Sequence, residues 1–127
     1  MKELCPKGIN IYWDNVGGTT LDAAVHNMAD HARSIQCGAI SGYTSDKPPT
    51  GERWEFIITM RRIKMQGMIV YDWIDEWDSA IKEIAGWYKE GKLKKRVTVK
   101  NGINEMPHAF MDLFRGGNVG KLLVKIA

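Results

Sequence analysis

A short apolar run that ends in a polar, glycine-containing turn most constrains the fold of this 127-residue chain. Residues 8–14 are rich in β-branched and aromatic side chains and predict a buried strand. The sequence Asp-Asn-Val-Gly-Gly follows at Asp14–Gly18, and a helical pattern begins at Thr19. Ligands of open α/β sheets bind just beyond the carboxyl ends of the strands. This turn is therefore the first candidate for a ligand site, although a plain connecting turn explains its spacing equally well.

The composition is that of one globular domain, or of a part of one. Apolar residues make up 44% of the chain, which is ordinary for a folded domain. The formal net charge is +3 and acidic residues are spread along the sequence, so we expect no nucleic-acid partner. No run is long enough to span a membrane and no secretion signal is recognisable. We therefore expect a cytoplasmic protein with no membrane partner.

The cysteines and histidines predict no metal site. Cys5 and Cys37 are the two cysteines, and a reducing compartment is the default for them. His26 and His31 are five residues apart, which places them off a common helical face. Ligand spacings typical of zinc sites are absent from the sequence, so we expect no bound metal.

The first part of the chain predicts alternating strands and helices. Helical spacing of apolar residues predicts a helix over Thr19–Arg33, and its stripe is Leu21, Val25, Met28 and Ala32. Ser34–Ser41 predicts a second strand, Trp54–Ile63 a short helix, and Lys64–Tyr71 a third strand. Three strands separated by helices favour parallel pairing through right-handed crossovers.

The last part of the chain predicts a different layer. Trp77–Tyr88 carries apolar residues at helical spacing and predicts an amphipathic helix. Arg96–Lys100 alternates polar and apolar residues, as a half-exposed strand does. A helix with Pro107 in its first turn and a final strand over Gly120–Ile126 complete an α/β pattern.

The segment between the second strand and the second helix is a long loop. Ser41–Glu52 is rich in the turn residues glycine, proline, serine and aspartate, and loops of this length in compact domains are usually functional or mobile. Tyr43 lies at its base, just beyond a predicted strand. A half-buried packing role and a ligand-binding role both fit this tyrosine.

Four blocks of sequence resemble one family in the same order and with the same separations. They are Asp14–Gly18, Cys37–Tyr43, Met65–Val70 and Gly117–Lys121. The chain resembles the zinc-independent, NADP-dependent branch of the medium-chain dehydrogenase/reductases, which includes prostaglandin reductases and 2-alkenal reductases. The resemblance implies that residues 1–92 form part of a Rossmann-type dinucleotide-binding domain, the C-terminal half of its parallel sheet. Residues 93–127 would be a returning strand-helix-strand segment of the GroES-like substrate domain.

The resemblance also implies residue roles. Tyr43 would be catalytic, as a hydrogen-bond donor to the substrate oxygen, or an anchor for the cofactor ribose. The implied NADP-binding positions are Asn15, Cys37, Gly38, Ala39, Ile40, Ser41, Gly42, Tyr43, Met68, Ile69, Val70 and Asn118. The implied reaction is hydride transfer from NADPH to the double bond of an α,β-unsaturated ketone or aldehyde, with no metal.

One expected motif is missing. A dinucleotide fold holds the pyrophosphate with a Gly-x-Gly-x-x-Gly turn, and this chain has none. We therefore expect an incomplete enzyme that binds NADP weakly by itself. The strand at Ile9–Trp13 is also expected to have an open edge, which favours a homodimer or another association through sheet edges. The alternative is a non-catalytic remnant of the fold that binds a partner or another subunit.

Overall fold

The computed structural model describes residues 2–126 as two compact units, one ending at Ile74 and the other beginning at Asp75. The regular elements are β1 (Ile9–Asp14), α1 (Gly18–His26), β2 (Met28–Gln36), α2 (Glu55–Arg61), β3 (Lys64–Gly67), α3 (Trp77–Lys89), β4 (Val97–Asn101), α4 (Met106–Arg115) and β5 (Lys121–Lys125). Short 3₁₀ segments lie at Ile40–Gly42, Val70–Glu76 and Ile103–Glu105.

The first unit is a three-stranded parallel sheet with strand order β1-β2-β3. Helices α1 and α2 provide the crossovers, so the predicted α/β class with parallel pairing is confirmed. Successive side chains of a strand point to opposite faces. Asp14 and Ser34 are on the buried face of this sheet, whereas Ile11, Trp13 and Arg33 are on the exposed face.

The predicted helix over Thr19–Arg33 is wrong in its second half. Helix α1 ends at His26, and β2 begins at Met28. The pairing of β1 with β2 is irregular at this point, because Ile9 pairs with Met28 whereas Ile11 pairs with Arg33. His31 lies inside the irregularity with φ 60°. Met28 and Ala32 are both buried and are four residues apart, a spacing that puts two residues on one face of a helix and also on one face of a strand.

The start of α1 also differs from the prediction. Gly17 is its N-cap, and the helix has no side-chain cap. The helix therefore begins one residue before Thr19, the predicted first residue. The Asp22 carboxylate accepts a hydrogen bond from the Trp54 indole N–H at 3.1 Å, which joins the end of the long loop to α1.

Two predicted strands are shorter than expected. Strand β2 stops at Gln36 rather than Ser41, because its partner β1 stops at Asp14, the residue paired with Gln36. Strand β3 stops at Gly67, the last residue paired with β2, and a 3₁₀ segment begins at Val70.

The core of the first unit lies where the helices meet the sheet. Met28, Ala32 and Ile63 form a buried cluster, and partly buried residues pack around it: Ile9, Tyr12, Ile57, Ile58 and Met65. Helix α1 buries Leu21, Ala24 and Val25. Burying apolar surface of this kind is the main favourable contribution to folding.

The second unit contains α3, a two-stranded parallel sheet of β4 and β5, and α4 between those strands in sequence. Pro107 is in the first turn of α4, as predicted, and Gly116 ends the helix in the left-handed conformation. The division between the two compact units falls after Ile74, and the predicted domain boundary between residues 92 and 93 stays a prediction. Within residues 2–126, no helix has both the length and the apolar character needed to cross a membrane.

Candidate functional site

The turn that follows β1 is packed tightly against the segment that follows β2. Gly17 and Gly18 have φ of 69° and 54°, which favours glycine at both positions. A Cβ atom on Gly17 would lie 3.1 Å from the Cβ of Ala39, and one on Gly18 would lie 2.9 Å from the Ser41 hydroxyl oxygen. The glycine pair therefore permits both the backbone conformation and the close approach of the two segments.

Asp14 organises this turn from within. Its side chain is fully buried, and its Oδ1 accepts hydrogen bonds from the N–H groups of Val16 and Gly17 at 2.9 and 3.0 Å. The hydroxyl of Tyr12 donates to the same oxygen at 3.3 Å. Burial raises the pKa of Tyr12, and the neighbouring Asp14 charge and hydrogen bond raise it further. Tyr12 therefore stays a protonated donor at neutral pH.

The predicted cofactor segment runs alongside the turn through main-chain hydrogen bonds. The N–H groups of Cys37 and Gly38 donate to the Asp14 carbonyl at 2.8 and 3.1 Å, and Ile40 N–H donates to the Asn15 carbonyl at 3.1 Å. Ser41 donates to the Val16 carbonyl from its N–H at 3.0 Å and from its hydroxyl at 2.6 Å. The structure thus brings Asn15 together with the residues from Cys37 to Ser41.

Tyr43 folds back over the same segment. The N–H of Ala39 donates to the Tyr43 hydroxyl oxygen at 3.0 Å, and a Cβ on Gly38 would lie 3.1 Å from that oxygen. The same Cβ would lie 3.3 Å from the Asn15 carbonyl oxygen. Tyr43 is 68% exposed, and its hydroxyl proton is not used in the bond with Ala39. A hydroxyl held in this way can donate to a bound ligand.

The third predicted block follows the end of β3. The N–H of Met68 donates to the Gln36 carbonyl at 3.0 Å, so this residue extends the pairing of β2 and β3 by one bond. Ile69 and Val70 follow it and are largely exposed. Residues predicted from all three strands of the sheet therefore lie directly after the carboxyl ends of those strands.

Asn118 belongs to the second unit. Its side-chain N–H group donates to the Gly120 carbonyl at 2.8 Å, closing the turn before β5. Gly42 lies in the short 3₁₀ segment before Tyr43, where its N–H donates to the Ala39 carbonyl at 2.9 Å. The roles of all these residues in cofactor binding stay predictions.

The sequence did not single out Asp14 as more than part of a block. Aspartate side chains at turns commonly accept hydrogen bonds from the N–H groups two and three residues later. An aspartate at the start of a predicted turn was therefore the sequence signal that could have identified Asp14. Its main-chain bonds with Cys37 and Gly38 depend on strand pairing and leave no local trace in the sequence.

A separate hollow of about 590 Å³ lies at the opposite end of the strands. Gly8, Met28 and Ala29 line it, together with basic side chains that include Lys7 and Arg61. It is remote from the turn after β1, because Gly8 and Met28 adjoin the first residues of β1 and β2. Among residues 2–126, no group of three or more histidine, cysteine, aspartate or glutamate residues is arranged to hold a metal ion.

A family model described as zinc-binding dehydrogenase matches residues 1–124. The chain belongs to this family. It is 36% identical over 126 residues to prostaglandin reductase 1 of Bos taurus, covering 98% of the chain and 38% of the relative. It is 38% identical over 129 residues to YfmJ of Bacillus subtilis, whose name assigns it provisionally to the NADP-dependent oxidoreductases; that match covers all of this chain and 38% of YfmJ.

Solved structures agree with the fold. The crystal structure of CurA in complex with NADPH, from Vibrio vulnificus, is similar with a TM-score of 0.84 and 32% sequence identity. The match covers 99% of this chain and 39% of CurA. The chain therefore spans less than two-fifths of the length of YfmJ, prostaglandin reductase 1 and CurA.

Proposed function

We propose that this chain is the nicotinamide-binding part of an NADP-dependent oxidoreductase that reduces the carbon–carbon double bond of α,β-unsaturated ketones or aldehydes. Support comes from the name of prostaglandin reductase 1 and from the NADPH complex of CurA. The local observation that supports it most is the hydrogen bond from Ala39 N–H to the Tyr43 hydroxyl, beside the carbonyl of Asn15.

The residues after the strands fit the nicotinamide half of the cofactor. Asn15 is exposed, and its side-chain amide makes no hydrogen bond with residues 2–126, so it can bind polar groups of a ligand. Ile40, Ile69 and Val70 offer exposed apolar surface suited to one face of an aromatic ring. The chain has no glycine-rich pyrophosphate turn, so its own affinity for the cofactor is expected to be weak.

The chemistry assigned to Tyr43 is stabilisation of the substrate oxygen. NADPH, when bound, supplies a hydride to the carbon β to the substrate carbonyl. The electrons of the double bond then move onto the carbonyl oxygen to form an enolate, and water protonates the α carbon. A donor aimed at that oxygen lowers the barrier because the negative charge develops there. The Tyr43 hydroxyl accepts a hydrogen bond from Ala39 N–H, so its own proton is left for the substrate oxygen.

The first test is a titration of the chain with NADPH, followed by the fluorescence of its five tryptophans. Binding with Kd below about 1 mM supports the proposal. Absence of binding at that concentration contradicts a nicotinamide site in this chain and favours the non-catalytic alternative.

The second test restores activity by complementation. The chain is combined with the part of YfmJ that precedes the matched region, and NADPH oxidation is followed with an alkenal. Tyr43→Phe should lower kcat about 10²–10³-fold if the hydroxyl stabilises the oxyanion. If the hydroxyl anchors the ribose, KM for NADPH should rise while kcat changes little. Tyr88→Phe, an exposed tyrosine in α3, is the matched control.

We also propose that the chain self-associates through β1. Among the described residues, β1 pairs only with β2, so its other edge has free N–H and C=O groups. Ile11 and Trp13 of the same strand are 68% and 50% exposed. Such an edge is a template for strand pairing. Sedimentation at several concentrations should show mass rising with concentration, and a monomer at every concentration would contradict the proposal.

A further inference from the structure

Asp14 is linked to both segments of the candidate site. Its carboxylate oxygen Oδ1 binds the N–H groups of Val16 and Gly17, within the turn after β1. Its main-chain carbonyl binds the N–H groups of Cys37 and Gly38, at the start of the segment after β2. The residue therefore accepts four main-chain N–H groups, two through the side chain and two through the backbone.

These bonds fix the backbone on both sides of Asn15. The preceding residue is Asp14, which is fully buried. The following residue is Val16, whose N–H binds the Asp14 carboxylate and whose carbonyl binds Ser41 twice. The Asn15 carbonyl is itself occupied by Ile40 N–H. The exposed Asn15 side chain is thus presented from a backbone with little freedom to rotate.

A buried carboxylate is costly unless its hydrogen bonds compensate for lost hydration. Oδ1 accepts three donors here, while Oδ2 is buried without a hydrogen-bond partner among the described residues. The charge also lies just before α1, where the first N–H groups of the helix favour an anion. An apolar residue would leave the Val16 and Gly17 N–H groups without their acceptor.

We propose that the Asp14 carboxylate is a positioning residue, which holds the turn after β1 in the conformation that places Asn15 against the nicotinamide half of the cofactor. The proposal rests on the proposed function for what the turn binds. That Asp14 holds the turn is inferred from its hydrogen bonds with Val16 and Gly17 and does not depend on the proposed function. Asp14 acts through the backbone and does not touch the cofactor.

The test measures amide hydrogen exchange by NMR in the 127-residue chain for wild type, Asp14→Asn and Asp14→Ala. Asparagine keeps an Oδ1 acceptor, whereas alanine removes it. Exchange at Val16 and Gly17 should become about 10- to 100-fold faster in Asp14→Ala, as expected for the loss of bonds to a charged acceptor. In Asp14→Asn it should stay within about threefold of wild type.

Cys37 and Gly38 are internal controls, because they bind the Asp14 carbonyl that every variant retains. Their exchange should change much less than that of Val16 and Gly17. Equal acceleration at all four amides would show general loosening and would overturn the proposal. Unchanged exchange at Val16 and Gly17 in Asp14→Ala, or acceleration in Asp14→Asn as large as in Asp14→Ala, would also overturn it. Asp22→Ala, which removes a different carboxylate of α1, should leave these amides unchanged.

A parallel NADPH titration separates this proposal from the proposed function. If wild type binds NADPH, Asp14→Ala should weaken binding at least about tenfold and Asp14→Asn should weaken it less. If wild type binds no NADPH, the proposed function fails, and the exchange data alone decide whether Asp14 fixes the turn. If wild type binds and Asp14→Ala binds equally well with a loosened turn, positioning of the cofactor site is refuted.

Discussion

The two units of the molecule differ sharply in how much they bury. In the first unit, α1, β2 and Ile63 contribute buried apolar side chains, and the polar residues Asp14 and Ser34 are fully buried. Among residues 75–126, Ala109 is the one buried residue. The first unit therefore has a core of its own, while the second is a thin layer.

The second unit buries less because its two-stranded sheet is covered by a helix on one face only. Helix α4 lies against β5, and a hollow of about 180 Å³ between them is lined by apolar residues that include Phe110 and Leu122. The opposite face of β4 and β5 leaves Val97, Val99 and Leu123 substantially exposed. Two strands with one covered face bury too little apolar surface for much independent stability. The comparison indicates that the first unit should resist opening more strongly than the second.

The largest expected effect on stability comes from comparing alanine substitutions at two methionines, one buried and one exposed. Met28 is 2% exposed in the core of the first unit, and Met111 is 45% exposed on α4. Met28→Ala should destabilise the first unit by about 2–5 kcal/mol, because it removes a packed side chain and leaves a cavity. Met111→Ala should change stability by no more than about 0.5 kcal/mol.

Residue-level hydrogen exchange under native conditions is the appropriate measurement, because the two units can open separately. Protection should fall across β1, β2 and α1 in Met28→Ala. Comparable losses from the two substitutions would mean that the second unit has a core equivalent to the first, and the comparison would be wrong.

The sequence predicted the elements whose signals are local. Strand β1 and helix α3 could be located because periodicity and turn residues agree there. The end of α1 could not be located, because the four-residue spacing of Met28 and Ala32 fits one face of a helix and one face of a strand equally. Pairing with β1 decides that Met28 begins a strand. The blocks Asp14–Gly18 and Cys37–Tyr43 marked the turn after β1 and the segment beside it. The hydrogen bonds that join them depend on partners 23 to 25 residues apart, such as Cys37 with Asp14 and Ser41 with Val16.

Alkaline pH should affect the first unit through Tyr12. Burial and the neighbouring Asp14 raise the pKa of Tyr12 above its ordinary value of 10.0. The folded state therefore favours the protonated tyrosine more than the unfolded state does. This stabilisation is fully present below pH 10 and is lost as the pH rises through the raised folded pKa.

The measurement is the difference in urea midpoint between wild type and Tyr12→Phe as the pH rises from neutrality past 10. Wild type should lose stability relative to the phenylalanine variant only in the alkaline range. Tyr88→Phe in the second unit provides the control substitution. A constant difference between wild type and Tyr12→Phe at every pH would show that Tyr12 does not contribute by titrating.

Ion pairs should give the smallest effects on stability. The pair in the second unit should contribute more than the pair in the first unit, although the first unit has the larger core. In the first unit, Arg53 contacts Glu55 with both side chains mostly exposed, and the hydrogen bond from Arg53 lowers the pKa of Glu55. In the second unit, Lys100 of β4 lies 3.1 Å from Asp112 of α4, and both side chains are about two-thirds buried. Exposed pairs are screened by solvent and contribute little, whereas a partly buried pair that joins a strand to a helix contributes more.

Arg53→Gln should therefore leave the urea midpoint at neutral pH unchanged, while the Glu55 pKa, followed by NMR, should rise towards its ordinary value of 4.5. Because the folded pKa is lowered, any contribution of this pair exists above pH 4.5 and disappears as the pH falls through the folded pKa. Lys100→Gln should speed exchange in α4 by a factor of about 2 to 5, the range expected for a pair worth up to about 1 kcal/mol. Arg53→Gln could instead destabilise the first unit more than Lys100→Gln destabilises the second. Exposed ion pairs would then be stabilising the first unit in addition to its core. The weak packing of the second unit would then have to be offset by something other than the contact between Lys100 and Asp112.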